Sequence, residues 1–294
     1  MKHHPDLAAE LRLAARSAAA LATTLGLWGA LDVETAARAL ARRRRWGGPA
    51  KGPVEAGATP EPWRRILTEA RTGRWARLLC QMLGVHVSGG GPFLEQGVRY
   101  PATGPNGVGR LFVMNHRSGL DILVCLAALE ASLVSRADLA DWPVVGRGAR
   151  RIGTLFVDRE DAHSGLAVLS DISQRLRSGR AVVLFPEGTA FDGDLVRPFK
   201  PGAFLAARRT KSEVVPLGIA YREREVVFGD EGFVSHMRRV VALPAVHLAL
   251  EAGEPLDVGK GRAAEVAERA RERVQSLVDR ARARAGLGRG PEPG

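Results

Sequence analysis

The segment Leu111-Phe112-Val113-Met114-Asn115-His116-Arg117-Ser118-Gly119-Leu120-Asp121 decides the fold. Four apolar residues end in a polar cluster, and a second apolar run, Ile122-Leu123-Val124, follows Asp121. A short apolar run closed by polar residues reads as a buried strand, and the run after it as a helix. The junction holds a histidine and, five positions on, a carboxylate. Histidine titrates nearest neutrality and is the default general base. A carboxylate beside it can hold one ring tautomer and stabilise the imidazolium. The same residues have a plainer reading, because serine followed three positions later by an acid and an apolar run is a helix capping box. Both readings hold together if the strand-to-helix turn brings Asp121 back towards His116.

Two later segments repeat the pattern of an apolar strand with a polar exit: Phe156-Val157-Asp158-Arg159 and Phe185-Pro186-Glu187-Gly188-Thr189. Asp158-Arg159 reads either as a surface ion pair or with Arg159 binding an anion at the strand end, where α/β folds place ligands. Glu187-Gly188-Thr189 reads either as a plain turn or as a ligand contact, since Gly188 allows close backbone approach. Three such exits point to one shared cleft. The patterns predict strands near 110–114, 154–157, 181–185, 214–220 and Val246 to Glu251, and helices near 120–132, 162–178 and 202–209. The expected fold is α/β, a central mostly parallel or mixed sheet flanked by helices, with an N-terminal helical membrane-associating segment.

Residues 1–45 read as an N-terminal helical segment and 46–62 as a flexible linker with Pro49, Pro53, Pro60 and Pro62. Residues 63–285 form the main domain: an amphipathic helix at 63–83, an α/β core at about 85–255 and a charged helix at 262–285. Residues 286–294 are a disordered glycine- and proline-rich tail. The longest uncharged apolar stretch, Ser17 to Leu31, has fifteen residues. A membrane span needs about 20, so this stretch reads as an interfacial helix or a core helix. The 63–83 helix either lies on a membrane or covers the sheet.

Lysine and arginine number 43 against 32 acidic residues, for a net charge of +11. Such a chain prefers anionic partners. Aromatic residues are 5% and no zinc-finger spacing or aromatic–basic stacking motif is present, so nucleic acid is not the expected partner. The block Arg42 to Arg45 is either a solvated charge run or a contact for anionic headgroups. Cys80 and Cys125 lie in apolar surroundings and read as buried free thiols. His3, His4, His86, His163, His236 and His247 have no metal-site spacing, and no metal is expected.

Taken in order, the segments resemble the motifs of the glycerolipid acyltransferases, specifically the 1-acylglycerol-3-phosphate O-acyltransferase family. The first is Asn115, His116 and Asp121, the second Phe156, Asp158 and Arg159, and the third Phe185-Pro186-Glu187-Gly188-Thr189. Pro198, Phe199, Lys200, Gly202, Ala203 and Phe204 follow as in the family, and Val215-Pro216-Leu217-Gly218 matches the fourth motif. The resemblance spans about residues 75–255. It implies acyl transfer from a coenzyme A or acyl carrier protein thioester to a membrane lipid hydroxyl. His116 and Asp121 would be catalytic. Asn115, Asp158, Arg159, Glu187, Gly188, Thr189, Lys200 and Pro216 would bind substrate. No cofactor is implied. The expected location is the cytoplasmic face of the membrane, peripheral or partly inserted, on an anionic surface.

One position departs from the family. Ala190 stands where arginine commonly follows the threonine, and Phe191-Asp192-Gly193-Asp194 comes next. The resemblance puts lysophosphatidate first as acceptor, giving phosphatidate. The departure raises another lysolipid, such as lyso-ornithine lipid, as the alternative. An acyltransferase with an amine acceptor and a non-catalytic basic membrane-binding protein are the remaining readings.

Overall fold

The computed structural model describes residues 7–46, 62–141, 145–157, 162–259 and 261–288. Seven strands form one sheet: β1 (Val85–Gly90), β2 (Leu111–Met114), β3 (Ala131–Arg136), β4 (Leu155–Val157), β5 (Ala181–Leu184), β6 (Val214–Tyr221) and β7 (Val246–Ala252). Their order is β1-β7-β6-β2-β5-β3-β4. Only the β6–β7 pairing is antiparallel. The helices are α1 (Leu7–Trp46), α2 (Pro62–Met82), α3 (Leu120–Ala128), α4 (Val145–Arg151), α5 (Ala162–Arg177), α6 (Gly202–Thr210), α7 (Phe233–Ala242) and α8 (Ala263–Arg284).

Strands covered by helices on both faces carry continuous apolar runs. Leu111-Phe112-Val113-Met114 and Ala181-Val182-Val183-Leu184 are buried throughout. Alternate side chains go to opposite faces. Phe112 and Met114 pack with Ala76 of α2, Leu120 of α3 and Val240 of α7. Leu111 and Val113 pack with Ile172 of α5, Phe204 of α6 and Val274 of α8. The central strand β2 lies between β5 and β6, parallel to both. The polar exits of β2 and β5 therefore leave the same edge of the sheet.

The expected α/β architecture is present, with corrections. The helix expected over 120–132 stops at Ala128, and Ala131–Arg136 is a strand. Apolar residues on both sides of Glu130 fed both elements, and periodicity cannot separate them. Strand β1 and helices α4 and α7 were not expected. The 47–61 part of the expected linker and residues 289–294 of the tail lie outside the described residues. Helix α2 buries Ala76, Leu79 and Cys80, so its described half covers the core.

Helix α1 docks on α7 through two arginines. Arg12 Nε donates to Ala242 O at 3.1 Å, and Arg16 donates to Val241 O at 3.0 Å and Pro244 O at 2.9 Å. A helix C-terminus leaves carbonyls without partners, and these guanidinium groups satisfy them. Leu7, Leu11, Leu21 and Leu25 stay exposed on α1. Among the described residues no helix is long and apolar enough to cross a membrane.

Candidate active site

His116 leaves β2 one residue after the buried Asn115. Its Nδ1 is 2.7 Å from Oδ2 of Asp121 in the first turn of α3. Asp121 is fully buried. Its Oδ2 also accepts the Arg117 N–H at 2.7 Å and the Ser118 N–H at 3.0 Å. Its Oδ1 accepts the Tyr221 hydroxyl at 2.6 Å. Burial above all, and then Asp121, hold the Tyr221 phenol well above its usual range, so it remains a donor. Asp121 is thus the common acceptor of the cluster. The His116 Nδ1–H donates to it, and the lone pair lies on Nε2.

The imidazole stacks on Phe185 with centroids 4.1 Å apart and stays 17% exposed. One ring face is thereby set by the residue that opens the third motif. The capping-box reading is half met: the Ser118 N–H donates to Asp121, while the Ser118 hydroxyl accepts the Leu120 N–H.

Glu187 is buried beside this pair. Its Oε1 accepts the His116 N–H at 2.8 Å and Arg117 Nη1 at 2.9 Å, and its Oε2 accepts the Arg197 N–H at 2.9 Å. Arg117 also donates to His116 O at 2.7 Å and Leu195 O at 3.2 Å. Glu187 thus accepts three protein donors and helps fix the backbone of His116. Asn115 also bonds within the protein. Its Nδ2 donates to Ile219 O and its Oδ1 accepts the Ile219 N–H, both at 2.9 Å, which ties β2 to β6. Pro216 is buried within β6, paired with Val113 and beside Gly253, with Leu277 of α8 nearby.

Gly188, Thr189 and Lys200 lie beyond the end of β5, on what we take as the rim of the site. Gly188 has φ 92°, and a Cβ there would meet Lys200 Cε at 3.0 Å. The Lys200 N–H donates to Pro186 O at 3.0 Å, while Thr189 and Lys200 side chains are exposed. The Phe191 N–H donates to His116 O at 3.2 Å, so the loop after the third motif abuts the catalytic candidate. The Arg197 guanidinium lies 4.2 Å from the Phe191 ring centroid. Asp194 pairs with Arg282 of α8, whereas Asp192 is exposed. Asp158 and Arg159 lie outside the described residues.

A cavity of about 230 Å³ opens among Trp75, Ile122, Leu126, Leu133, Ile152 and Phe233. It shares α3 with Asp121. Gly119 lets α7 close in here, because a Cβ would meet Met237 Sδ at 2.7 Å and Phe233 Cε2 at 2.9 Å. The two thiols are no nucleophiles: burial pushes Cys80 up to about 11 and Cys125 well above the usual thiol range. Arg117, Tyr221 and Phe185 were not singled out as site residues. Arg117 and Phe185 at least lie within the motifs, whereas nothing local marks Tyr221.

Comparison with known proteins bears on the family and the fold. The Acyltransferase family model matches residues 98–220. The chain is 31% identical over 232 residues to the lyso-ornithine lipid O-acyltransferase of Rhizobium meliloti (strain 1021), covering 72% of this chain and 76% of that protein. It is 30% identical over 227 residues to the enzyme of the same name from Pseudomonas aeruginosa, covering 74% and 81%. The crystal structure of the 1-acyl-sn-glycerophosphate acyltransferase PlsC from Thermotoga maritima superposes with a TM-score of 0.60 at 19% identity, covering 91% of this chain and 98% of that one, which shows a shared fold. The chain belongs to the acyltransferase family and is an acyltransferase.

Proposed function

We propose that this enzyme transfers an acyl group from a coenzyme A or acyl carrier protein thioester to the hydroxyl of a lysolipid, with His116 as general base. The observation that carries this reading is the 2.7 Å contact of His116 Nδ1 with the buried Asp121, which leaves Nε2 as the basic nitrogen. Nε2 takes the proton of the acceptor hydroxyl as its oxygen attacks the thioester carbonyl. Asp121 stabilises the imidazolium. The tetrahedral intermediate then collapses, the ester forms, and the departing thiolate receives the proton. The cavity beside α3 suits an acyl chain, being lined mainly by apolar side chains. The exposed leucines of α1 suit contact with the membrane interface, on the cytoplasmic face where thioester donors occur.

For the acceptor we favour lyso-ornithine lipid over lysophosphatidate, reversing the order expected from the family alone. An ornithine headgroup offers a carboxylate and an ammonium. The rim has both complements: the cations Lys200 and Arg197, and the exposed carboxylate of Asp192. Ala190 supplies no guanidinium for a phosphate. The names of the two relatives reported above support the same choice. Lysophosphatidate keeps other relatives in its favour, among them the 1-acyl-sn-glycerol-3-phosphate acyltransferase of Neisseria gonorrhoeae, 26% identical over 153 residues, covering 50% of this chain and 59% of that protein.

Ala190→Arg tests the choice. A charge-assisted hydrogen bond contributes about 1.5–3 kcal/mol, so kcat/KM for lysophosphatidate relative to lyso-ornithine lipid should rise about ten-fold or more. An unchanged ratio in steady-state assays of both acceptors contradicts a headgroup site at this position.

A further inference from the structure

His236 on α7 is fully buried, yet four polar groups surround it. Its Nε2 is 3.1 Å from the Gly119 backbone nitrogen and 3.1 Å from the Ser118 hydroxyl. A backbone N–H only donates, so Nε2 must carry a lone pair. The neutral ring then holds its hydrogen on Nδ1, which faces the acceptor Glu231 Oε1 at 3.2 Å and, further off at 3.4 Å, the donor Arg239 Nη2. Glu231 is in turn held by Arg239, and Arg239 Nη2 donates to Val227 O at 3.2 Å. Phe228 stacks on the imidazole at 3.9 Å.

The turn between His116 and α3 is thereby gripped from two sides. From within, Asp121 accepts the N–H groups of Arg117 and Ser118. From without, the Phe228 N–H donates to Arg117 O at 2.8 Å, and His236 accepts from Gly119. Asp121 reaches His116 only if this turn keeps its shape. A ring protonated on Nε2 would set donor against donor at Gly119. Desolvation by burial is the largest influence on His236 and lowers its pKa, with Arg239 adding and Glu231 and Asp121 opposing. The neutral form is the one the geometry needs.

We propose that His236 is a positioning residue for acyl transfer, its Nε2 holding the Ser118–Gly119 turn so that Asp121 stays in register with His116. The inference rests on the reading of His116 and Asp121 as the catalytic pair. A displacement of about 1 Å at a catalytic group can cost about 100-fold in rate.

The test uses the full-length protein, a long-chain acyl-coenzyme A and whichever of lyso-ornithine lipid and lysophosphatidate the wild type acylates. His236→Leu removes the acceptor and should lower kcat by about 10- to 100-fold with both KM values within about two-fold. His236→Gln places an amide oxygen near the Nε2 position and should recover most of that loss. A merely structural role would give no such recovery, or would move KM with kcat. A folded His236→Leu with wild-type kcat, or a His236→Gln as impaired as His236→Leu, overturns the proposal. If His236→Leu does not fold, nitrogen NMR of the wild-type histidine rings decides, the Nδ1–H tautomer supporting the proposal and the Nε2–H tautomer overturning it. His116→Ala runs beside these variants. Full activity in His116→Ala overturns the catalytic reading itself, whereas an inactive His116→Ala with an unaffected His236→Leu overturns only the role of His236.

Discussion

His116→Ala is expected to lower kcat by about 10³- to 10⁴-fold while leaving the circular dichroism spectrum and the melting profile near wild type. The ring lies at the edge of the sheet and is partly exposed, so its removal opens little core. Its backbone does the structural work: the His116 N–H donates to Glu187 and its carbonyl accepts from Arg117 and Phe191, and all three bonds survive truncation to alanine. The chemistry has no substitute. Cys80 and Cys125 are buried with raised pKa values, and Tyr221 is buried and donates to Asp121. Steady-state transfer assays check the expectation. Wild-type kcat in His116→Ala would remove the general-base role.

The second large effect concerns stability. Glu187→Leu is expected to cost about 3–5 kcal/mol in denaturant unfolding, and Glu187→Gln somewhat less. The Arg117–Glu187 pair is 2.9 Å long, with side chains 4% and 0% exposed. Removing one member of a buried pair strands the other charge in a poorly solvated site. Leucine also strands the His116 and Arg197 N–H groups, each of which now donates to Glu187. Glutamine keeps one oxygen for part of this set but leaves the Arg117 charge unpaired and turns an amide NH2 towards a donor. A loss below about 1 kcal/mol for Glu187→Leu would mean that the pair is solvated or replaceable.

The strand-end chemistry was legible because it is local. A continuous apolar run followed by polar residues marks a parallel strand and its exit, and β2 and β5 both carry that pattern. His116 and Asp121 are joined by one turn, so spacing alone suggested their contact. The rest depends on partners distant in the chain. Tyr221 reaches Asp121 because Met114 pairs with Leu217, and Tyr221 lies two alternations further along the same face of β6. No motif announces that. His236 comes from a helix that the sequence reading left out, and its neighbours supply no metal-like spacing. Strand β1 contains Gly89-Gly90, which resembles a turn until β7 pairs with it. The backbone bonds of Asn115 and Glu187 could not be read from the sequence, since a polar residue beside a site looks alike whether it holds a ligand or the backbone.

The most direct measurement is acyl transfer by the purified protein from labelled acyl-coenzyme A and acyl carrier protein to lyso-ornithine lipid and to lysophosphatidate. The expected result is an ester product with at least one donor, made faster from lyso-ornithine lipid. No ester from either acceptor with either donor would contradict lysolipid acylation, and product from lysophosphatidate alone would contradict the headgroup assignment.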